Sequence, residues 1–309
     1  MLSVRASIAG VVYRASQGHR RLAFAVEGFY AWLLARPVGK LGSPRITMVV
    51  VGRNDDYMPD FIGRLSATVA WNLHFLATDV VFVEWNPPAD RPLLAPVLAA
   101  RFPELQAYVI APALHAALCK NPAVPLLEFH AKNVGLRRAQ GEWLCATNAD
   151  AAFGLDSVRR VLGRAVPPSI VWTAQRIDIE WQAGRTRPLG IIDSIGYRRI
   201  VPYTPYGSGE FVLAHRSMWH DIRGYDESQD RHRMGCDTRG VAQMMSHGAT
   251  VRRAGKVLHL AHPTSCTEGM QPHHGDWAPM DGLPYHNTED WGFSRLRSAR
   301  IAERVYRLE

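Results

Sequence analysis

The chain has 309 residues, 47% of them hydrophobic, enough for one large α/β domain with additions and a substantial core. Six of its eight net positive charges fall in residues 1–45, where Arg5, Arg14, Arg20, Arg21, Arg36, Lys40 and Arg45 face Glu27 alone. The remainder is close to neutral, which excludes a nucleic-acid groove spread over the main domain, and no apolar run approaches the ~18 to 20 residues of a membrane span.

Residues 1–45 read as a basic amphipathic helical extension, its arginines interleaved with Val11, Tyr13, Leu22, Phe24, Phe29, Tyr30, Trp32 and Leu33. Two readings fit. The segment suits peripheral contact with an anionic membrane surface, and equally a helical arm packed on its own domain or on a second copy of the chain. A cleaved signal peptide is disfavoured, since only Ile8 to Tyr13 follow Arg5 as an apolar stretch; an organellar transit peptide fits the arginine-rich, acid-poor bias. Cys119, Cys145, Cys236 and Cys266 show neither C-x-x-C nor zinc spacing and read as reduced thiols. The expected compartment is the cytoplasm, with association at the cytoplasmic face of a membrane as the variant.

After Gly42-Ser43-Pro44 the pattern changes. "ITMVVVG" at 46–52 is unbroken, β-branched and closed by glycine, as in a central parallel strand. Residues 60–77 carry Phe61, Leu65, Val69, Leu73 and Leu76 at helical spacing. "DVVFVEW" at 79–85 predicts a second strand, Leu93 to Ala100 a helix, and Tyr108 to Ile110 a third short strand. A helix over 124–140 and a strand over 143–147 complete the run. Strand and helix in alternation predict βαβ units and a mostly parallel sheet flanked by helices, with ligands bound at the edge where the strands end.

Polar groups cluster at those ends. The first strand is followed by Arg53, Asn54, Asp55 and Asp56, the second holds Glu84 and Asn86, and "GEWLCATNADAAFG" presents Asn148 and Asp150. Residues i and i+2 of an extended chain face the same way, so Asn148 and Asp150 share a face if the strand runs on; a polar turn that merely stops the strand is the alternative. No G-x-G-x-x-G follows the first strand and no G-x-x-x-x-G-K-[ST] is present, which disfavours a dinucleotide site and a P-loop.

Four stretches in order, "ITMVVVGRNDDY", "VFVEWNPPADRP", "AKNVGLRRAQGEWLCATNAD" and "GSGEFVLAHRSMWHDIRGYDE", resemble the GT-A nucleotide-sugar glycosyltransferases, in a bacterial branch similar to glycosyltransferase family 2. The likeness covers roughly residues 46–262. It implies a Rossmann-like GT-A domain over 46–309, with a nucleotide-binding half at 46–154 and an acceptor-side half with a C-terminal tail at 155–309. It assigns the nucleotide sugar to Gly52, Arg53, Asn54, Asp55, Glu84, Asn133, Arg137, Asn148 and Asp150. The metal-binding D-x-D motif becomes Asn148-Ala149-Asp150, so Asp150 is the anionic ligand to Mn²⁺ or Mg²⁺.

A late histidine completes such metal sites, here His259 or His262. Three residues apart, they face opposite sides of an extended chain, which leaves at most one at the metal. Asp237 stands where inverting relatives keep the general base, with Glu210 as the alternative base on the acceptor wall; a helix N-cap is the plain reading of Asp237. Cys236 replaces the glutamate that usually precedes this acid. Asp290 and Trp291 suit either a loop closing over the donor or simple packing, and His273 and His274 read as a solvated loop.

The resemblance implies transfer of a sugar from a nucleotide-sugar donor to a glycan, lipid-linked or small-molecule hydroxyl, inverting and metal-assisted. A sugar nucleotidyltransferase and a non-catalytic nucleotide-sugar-binding protein are the rival readings.

Overall fold

Ile46–Gly52 forms β1 and is buried along its whole length, as an unbroken apolar strand must be. The computed structural model describes residues 45–55, 57–162, 166–181, 197–200, 203–204, 206, 209–230, 235–263 and 282–309. The basic extension up to residue 44, Asp56, Cys266, His273 and His274 lie outside the described residues.

Helix α1, Phe61–Phe75, buries Phe61, Leu65, Val69 and Leu73 as their spacing requires. Strand β2 is Asp79–Trp85, α2 is Leu94–Arg101, and β3 is Leu105–Ile110, starting earlier than the apolar pattern suggests. A short helix absent from the sequence reading, α3 at Pro112–Leu118, begins with proline at its first position, where the missing N–H costs nothing. Helix α4, Glu128–Arg138, is shorter than the 124–140 expected. Pro125 is instead tied by its carbonyl to Asn86 Nδ2 at 2.8 Å, which holds that stretch out of the helix. Gly135 brings α4 close to the sheet, since a Cβ there would run into Val49.

Strand β4, Trp143–Ala146, and β5, Ala151–Phe153, follow, then helix α5 at Leu155–Leu162 and strand β6 at Ile170–Ile179. The chain then adds β7 at Tyr197–Ile200, β8 at Val212–His215, α6 at Arg216–Asp221, α7 at Cys236–Ser246 and β9 at Thr250–Leu260. A closing hairpin is β10, Ser298–Ala302, with β11, Val305–Leu308.

One sheet runs in the order β10-β11-β3-β2-β1-β4-β8-β6-β9-β5, with β7 against β6. From β11 to β4 every pairing is parallel. The chain leaves β1 towards β2 on one side and returns to β4 on the other, so a switch point lies between the carboxyl ends of β1 and β4. Beyond β4, β8 runs antiparallel, while β6 and β9 are parallel to each other over ten paired positions that include Asp178↔His259. Strand β5 then sets Ala151 across from His259.

Helix α1 carries a polar row at i, i+4 and i+8 inside the molecule. Arg64 donates to the Leu260 carbonyl at 2.7 Å, Thr68 Oγ1 to the Ala149 carbonyl at 2.6 Å, and Asn72 Nδ2 to the Ala151 carbonyl at 2.9 Å. Asn72 Oδ1 accepts from Phe153 N–H at 2.9 Å. These buried groups are satisfied by backbone, so the helix fixes the segments before and after Asp150 and the end of β9 together.

Candidate active site

Strand β4 stops at Ala146, and the Asn148 carbonyl accepts from Ala151 N–H at 3.3 Å, closing a turn. Extended i, i+2 geometry therefore does not hold here, and the two polar side chains part. Asn148 Oδ1 accepts from Lys132 Nζ at 2.9 Å, whereas Asp150 Oδ2 lies 3.1 Å from His259 Nε2 and 2.9 Å from His262 Nε2.

Asp150, His259 and His262 offer ligand atoms that all lie within 4.8 Å of one another. The expectation that only one histidine reaches Asp150 is thus corrected. Strand β9 ends at Leu260, so His262 is outside it and free of the alternation that would have turned it away. His262 Nδ1 is engaged by the Pro263 carbonyl and His259 Nδ1 lies 3.0 Å from Asp178 Oδ1, so both Nε2 atoms point inward at Asp150.

The electrostatics follow from this packing. Burial would raise the Asp150 carboxyl, but the two imidazoles outweigh it and hold it well below the usual carboxylate range. Burial would lower His259; the Asp150 carboxylate reverses this and pushes it up to about 9. Asp178, against the pull of burial, is held at about 2 by hydrogen bonds from His259 and Arg176.

Arg176 joins this cluster to a second carboxylate. Its Nε donates to Asp178 Oδ1 at 2.6 Å and its Nη1 to Glu210 Oε1 at 2.6 Å. Glu210 Oε2 is buried and has no partner. The Glu210 backbone is held in turn by Thr147 Oγ1, which donates to its carbonyl at 2.6 Å.

Lys132, wholly buried on α4, pairs with Glu128 at 2.8 Å and donates to the Gly209 carbonyl at 3.2 Å as well as to Asn148. Gly209 lies against Asp237, where a Cβ would come within 3.0 Å of Oδ2. Asp237 occupies the first turn of α7 and Gly235 is the N-cap, so the plain capping reading of Asp237 does not hold. Burial raises its carboxyl; Thr238 N–H and Lys132 oppose the shift, and Glu210 and Glu128 reinforce it.

In the loop after β1, Arg53 Nη1 pairs with Asp55 at 2.6 Å while its Nε donates to the Asn86 carbonyl at 2.6 Å. Asn54 Nδ2 donates to the Pro92 carbonyl at 2.9 Å, and Asp55 Oδ1 is buried without a partner. Gly52 is closely packed, and a Cβ there would sit 2.8 Å from the tip of the Phe61 ring.

Three residues assigned to the nucleotide have partners within the protein. Glu84 is fully buried, and its two oxygens accept from Leu94 N–H at 2.9 Å and Ala95 N–H at 2.8 Å, the free N-terminus of α2. Asn133 is fully buried and spends its amide on Tyr225 N–H, the Tyr225 carbonyl and Glu227. Arg137 lies five residues beyond Lys132, ~7.5 Å further along α4 and away from the carboxyl edge of the sheet, with its guanidinium 5.0 Å from the centre of the Trp291 ring. Trp291 is itself a buried packing residue, so the alternative of a closing loop is not realised there.

Neither a family model nor a curated protein matches the sequence. Among solved structures, that of GalNAc-T7 with UDP, GalNAc and Mn²⁺ superposes with a TM-score of 0.50 at 13% identity, over 79% of this chain and 46% of that one. The fold is GT-A. The chain spans about half the length of that structure. Weaker likenesses are to TarS of S. aureus, TM-score 0.45 and 12% identity over 70% of this chain and 37% of that one, and to mannosyl-3-phosphoglycerate synthase from Rubrobacter xylanophilus, TM-score 0.40 and 14% identity over 74% and 70%. Within the GT-A frame of this chain, Lys132, Arg176 and Asp178 contact the candidate residues Asn148, Glu210 and His259, and sequence reasoning did not single them out. The one legible signal for Arg176 and Asp178 is an arginine and an aspartate at i, i+2 in the apolar stretch "IVWTAQRIDI". Among the described residues no helix is long and apolar enough to cross a membrane.

Proposed function

We propose that this chain is a nucleotide-sugar glycosyltransferase that transfers a sugar to an acceptor hydroxyl with inversion, assisted by a divalent ion. The observation that carries the reading is the convergence of Asp150, His259 and His262 at the turn after β4, next to the switch point of a GT-A sheet. A structure of the same fold that holds UDP, GalNAc and Mn²⁺ supports it.

The donor set suits the ion. One carboxylate and two imidazoles favour Mn²⁺ over Mg²⁺, which prefers oxygen ligands and keeps its waters. Asp150 and the Nε2 atoms of His259 and His262 would hold it, and when bound it would neutralise charge building on the departing diphosphate.

The remaining work falls to the protein. Asp55 Oδ1, buried and unpartnered beside Arg53 and Asn54, is an acceptor suited to a base N–H or a ribose hydroxyl. Glu210, fixed through Oε1 by Arg176, offers Oε2 to orient a sugar or acceptor hydroxyl. Asp237, raised by burial, is the better matched general base. As the acceptor oxygen bonds to the anomeric carbon, the bond from that carbon to the diphosphate oxygen breaks and the hydroxyl proton passes to Asp237. The acceptor is a glycan, a lipid-linked sugar or a small molecule.

Thermal unfolding with a panel of nucleotide sugars and Mn²⁺ tests the reading. A matched donor at 100 times its Kd stabilises by ~2.7 kcal/mol, and Asp150→Ala removes the metal-dependent part. A panel in which no donor shifts the midpoint, with or without Mn²⁺, overturns it.

A further inference from the structure

Of the two nitrogens of His259, one faces Asp150 and the other faces a pair of groups on β6. Asp178 is the register partner of His259 across the parallel β6–β9 pairing, and its Oδ1 is 3.0 Å from His259 Nδ1. Arg176 Nη2 lies 3.0 Å from the same nitrogen, while Arg176 Nε donates to Asp178 Oδ1 at 2.6 Å. Two arrangements of the neutral ring are then distinct. Either Nδ1–H donates to Asp178 and Nε2 turns its lone pair inward, or Nδ1 accepts from Arg176 and Nε2 carries the hydrogen.

We propose that Asp178 is the positioning residue of the metal centre: by accepting the Nδ1 hydrogen it fixes the tautomer in which His259 Nε2 is a ligand. Arg176 holds the carboxylate in place for this and clamps Glu210 with its other arm, so one strand aligns the metal ligand and the acceptor-side acid. The inference rests on the metal-assisted reading above and extends it to residues outside the ligand set.

Two observations and one general rule favour this arrangement over its rival. His262 is ordered in the same way, its Nδ1 against the Pro263 carbonyl and its Nε2 at Asp150, so the two rings present equivalent atoms. Ring ligands to metals generally donate their second N–H to a carboxylate or carbonyl, which fixes orientation and raises basicity. A bare Nδ1 would also bring its lone pair within 3.0 Å of Asp178 Oδ1, one acceptor against another.

Two measurements on the full chain decide it. Titration with Mn²⁺, followed by the electron-spin signal of the free ion, is expected to show Asp178→Asn and Asp178→Ala binding 10- to 100-fold more weakly than the parent, and Asp150→Ala binding none. If both Asp178 variants keep parent affinity while Asp150→Ala loses it, Asp178 has no such role and the metal reading stands. If the parent binds no Mn²⁺, or Asp150→Ala binds like the parent, the metal reading itself falls and this inference with it. The second measurement needs no variant at Asp178: nitrogen-15 spectra of the Zn²⁺-loaded parent, with His259 identified as the ring absent from His259→Gln. A proton on Nδ1 and the metal on Nε2 are expected; a bare Nδ1 overturns the proposal even if the Asp178 variants do not fold.

Discussion

The ammonium of Lys132, with no exposed surface, lies 2.9 Å from the side-chain oxygen of Asn148. That contact gives the amide at the first D-x-D position a partner within the protein. The position is already served by a cation that also ties Glu128 and the Gly209 carbonyl, so the turn after β4 is held from α4.

Lys132→Met should therefore unfold more easily by ~3 kcal/mol, because it removes a buried cation that pairs with Glu128 and donates to the Asn148 and Gly209 oxygens. Urea denaturation followed by far-ultraviolet dichroism measures this. A change under ~0.5 kcal/mol would show that the buried amine is dispensable.

The metal centre separates Asp150 from Asn148. Asp150→Ala removes the one carboxylate whose oxygen meets both histidines and should abolish Mn²⁺-dependent donor binding with the fold intact. Asn148→Ala removes a neutral group bound to Lys132 and should cost far less. Calorimetry with and without Mn²⁺ compares them; equal losses would assign the ligand role to the turn as a whole.

Stability of the metal-free protein should depend on pH through His259. Its folded value is raised to about 9 from an ordinary 6.5, so its contribution is full below 6.5 and is lost as pH rises through about 9. Asp178 works in the opposite sense: held at about 2 against 3.8, it contributes above 3.8 and its share is lost as pH falls through about 2. Midpoints recorded in chelator across this range should fall at both ends. Replacing His259 with Gln should flatten the alkaline limb and also weaken the acid limb, because His259 helps to hold Asp178 and Asp150 low.

The elements most legible in the sequence were those whose signal is local. The unbroken run at 46–52 reads as a central strand, and Phe61, Leu65, Val69 and Leu73 read as the packed face of α1. Asp150 was legible because a carboxylate closing an apolar strand is expensive unless used. Asp178 and Arg176 were not, since their meaning comes from a register that joins positions 81 residues apart, Asp178 and His259. The partners of Glu84, Asn133 and Arg137 were hidden for a related reason. A polar residue at a strand end or on a helix carries no mark of whether backbone will claim it, and here an orphan helix terminus, the 225–227 loop and an indole ring did.

Glu84 carries its own test. In Glu84→Gln one acceptor facing the start of α2 becomes an amide N–H, so a backbone donor is left unmet at a cost of ~1 to 3 kcal/mol. Affinity for a free nucleoside diphosphate should stay within about twofold, because no part of the carboxylate is exposed. Loss of affinity with unchanged stability would return Glu84 to the nucleoside.

The base is decided by Asp237 and Glu210 together. Asp237→Asn keeps the shape of the side chain, and the N-cap of α7 is Gly235, so stability should barely move. A general base contributes ~10² to 10⁴-fold in rate, and the variant should bind donor normally yet turn over more slowly by that order. Because burial raises the Asp237 carboxyl, the acid limb of the parent's rate profile should lie above the ordinary carboxylate range. Glu210→Gln keeps an oxygen for Arg176 but loses the charge behind the unpartnered Oε2, so it should act mainly on acceptor KM. If Asp237→Asn keeps near-parental turnover while Glu210→Gln loses it, the base is Glu210. If both keep it, neither carboxylate is the base, inversion loses its support, and the anomeric configuration of the product is to be read directly by proton coupling constants.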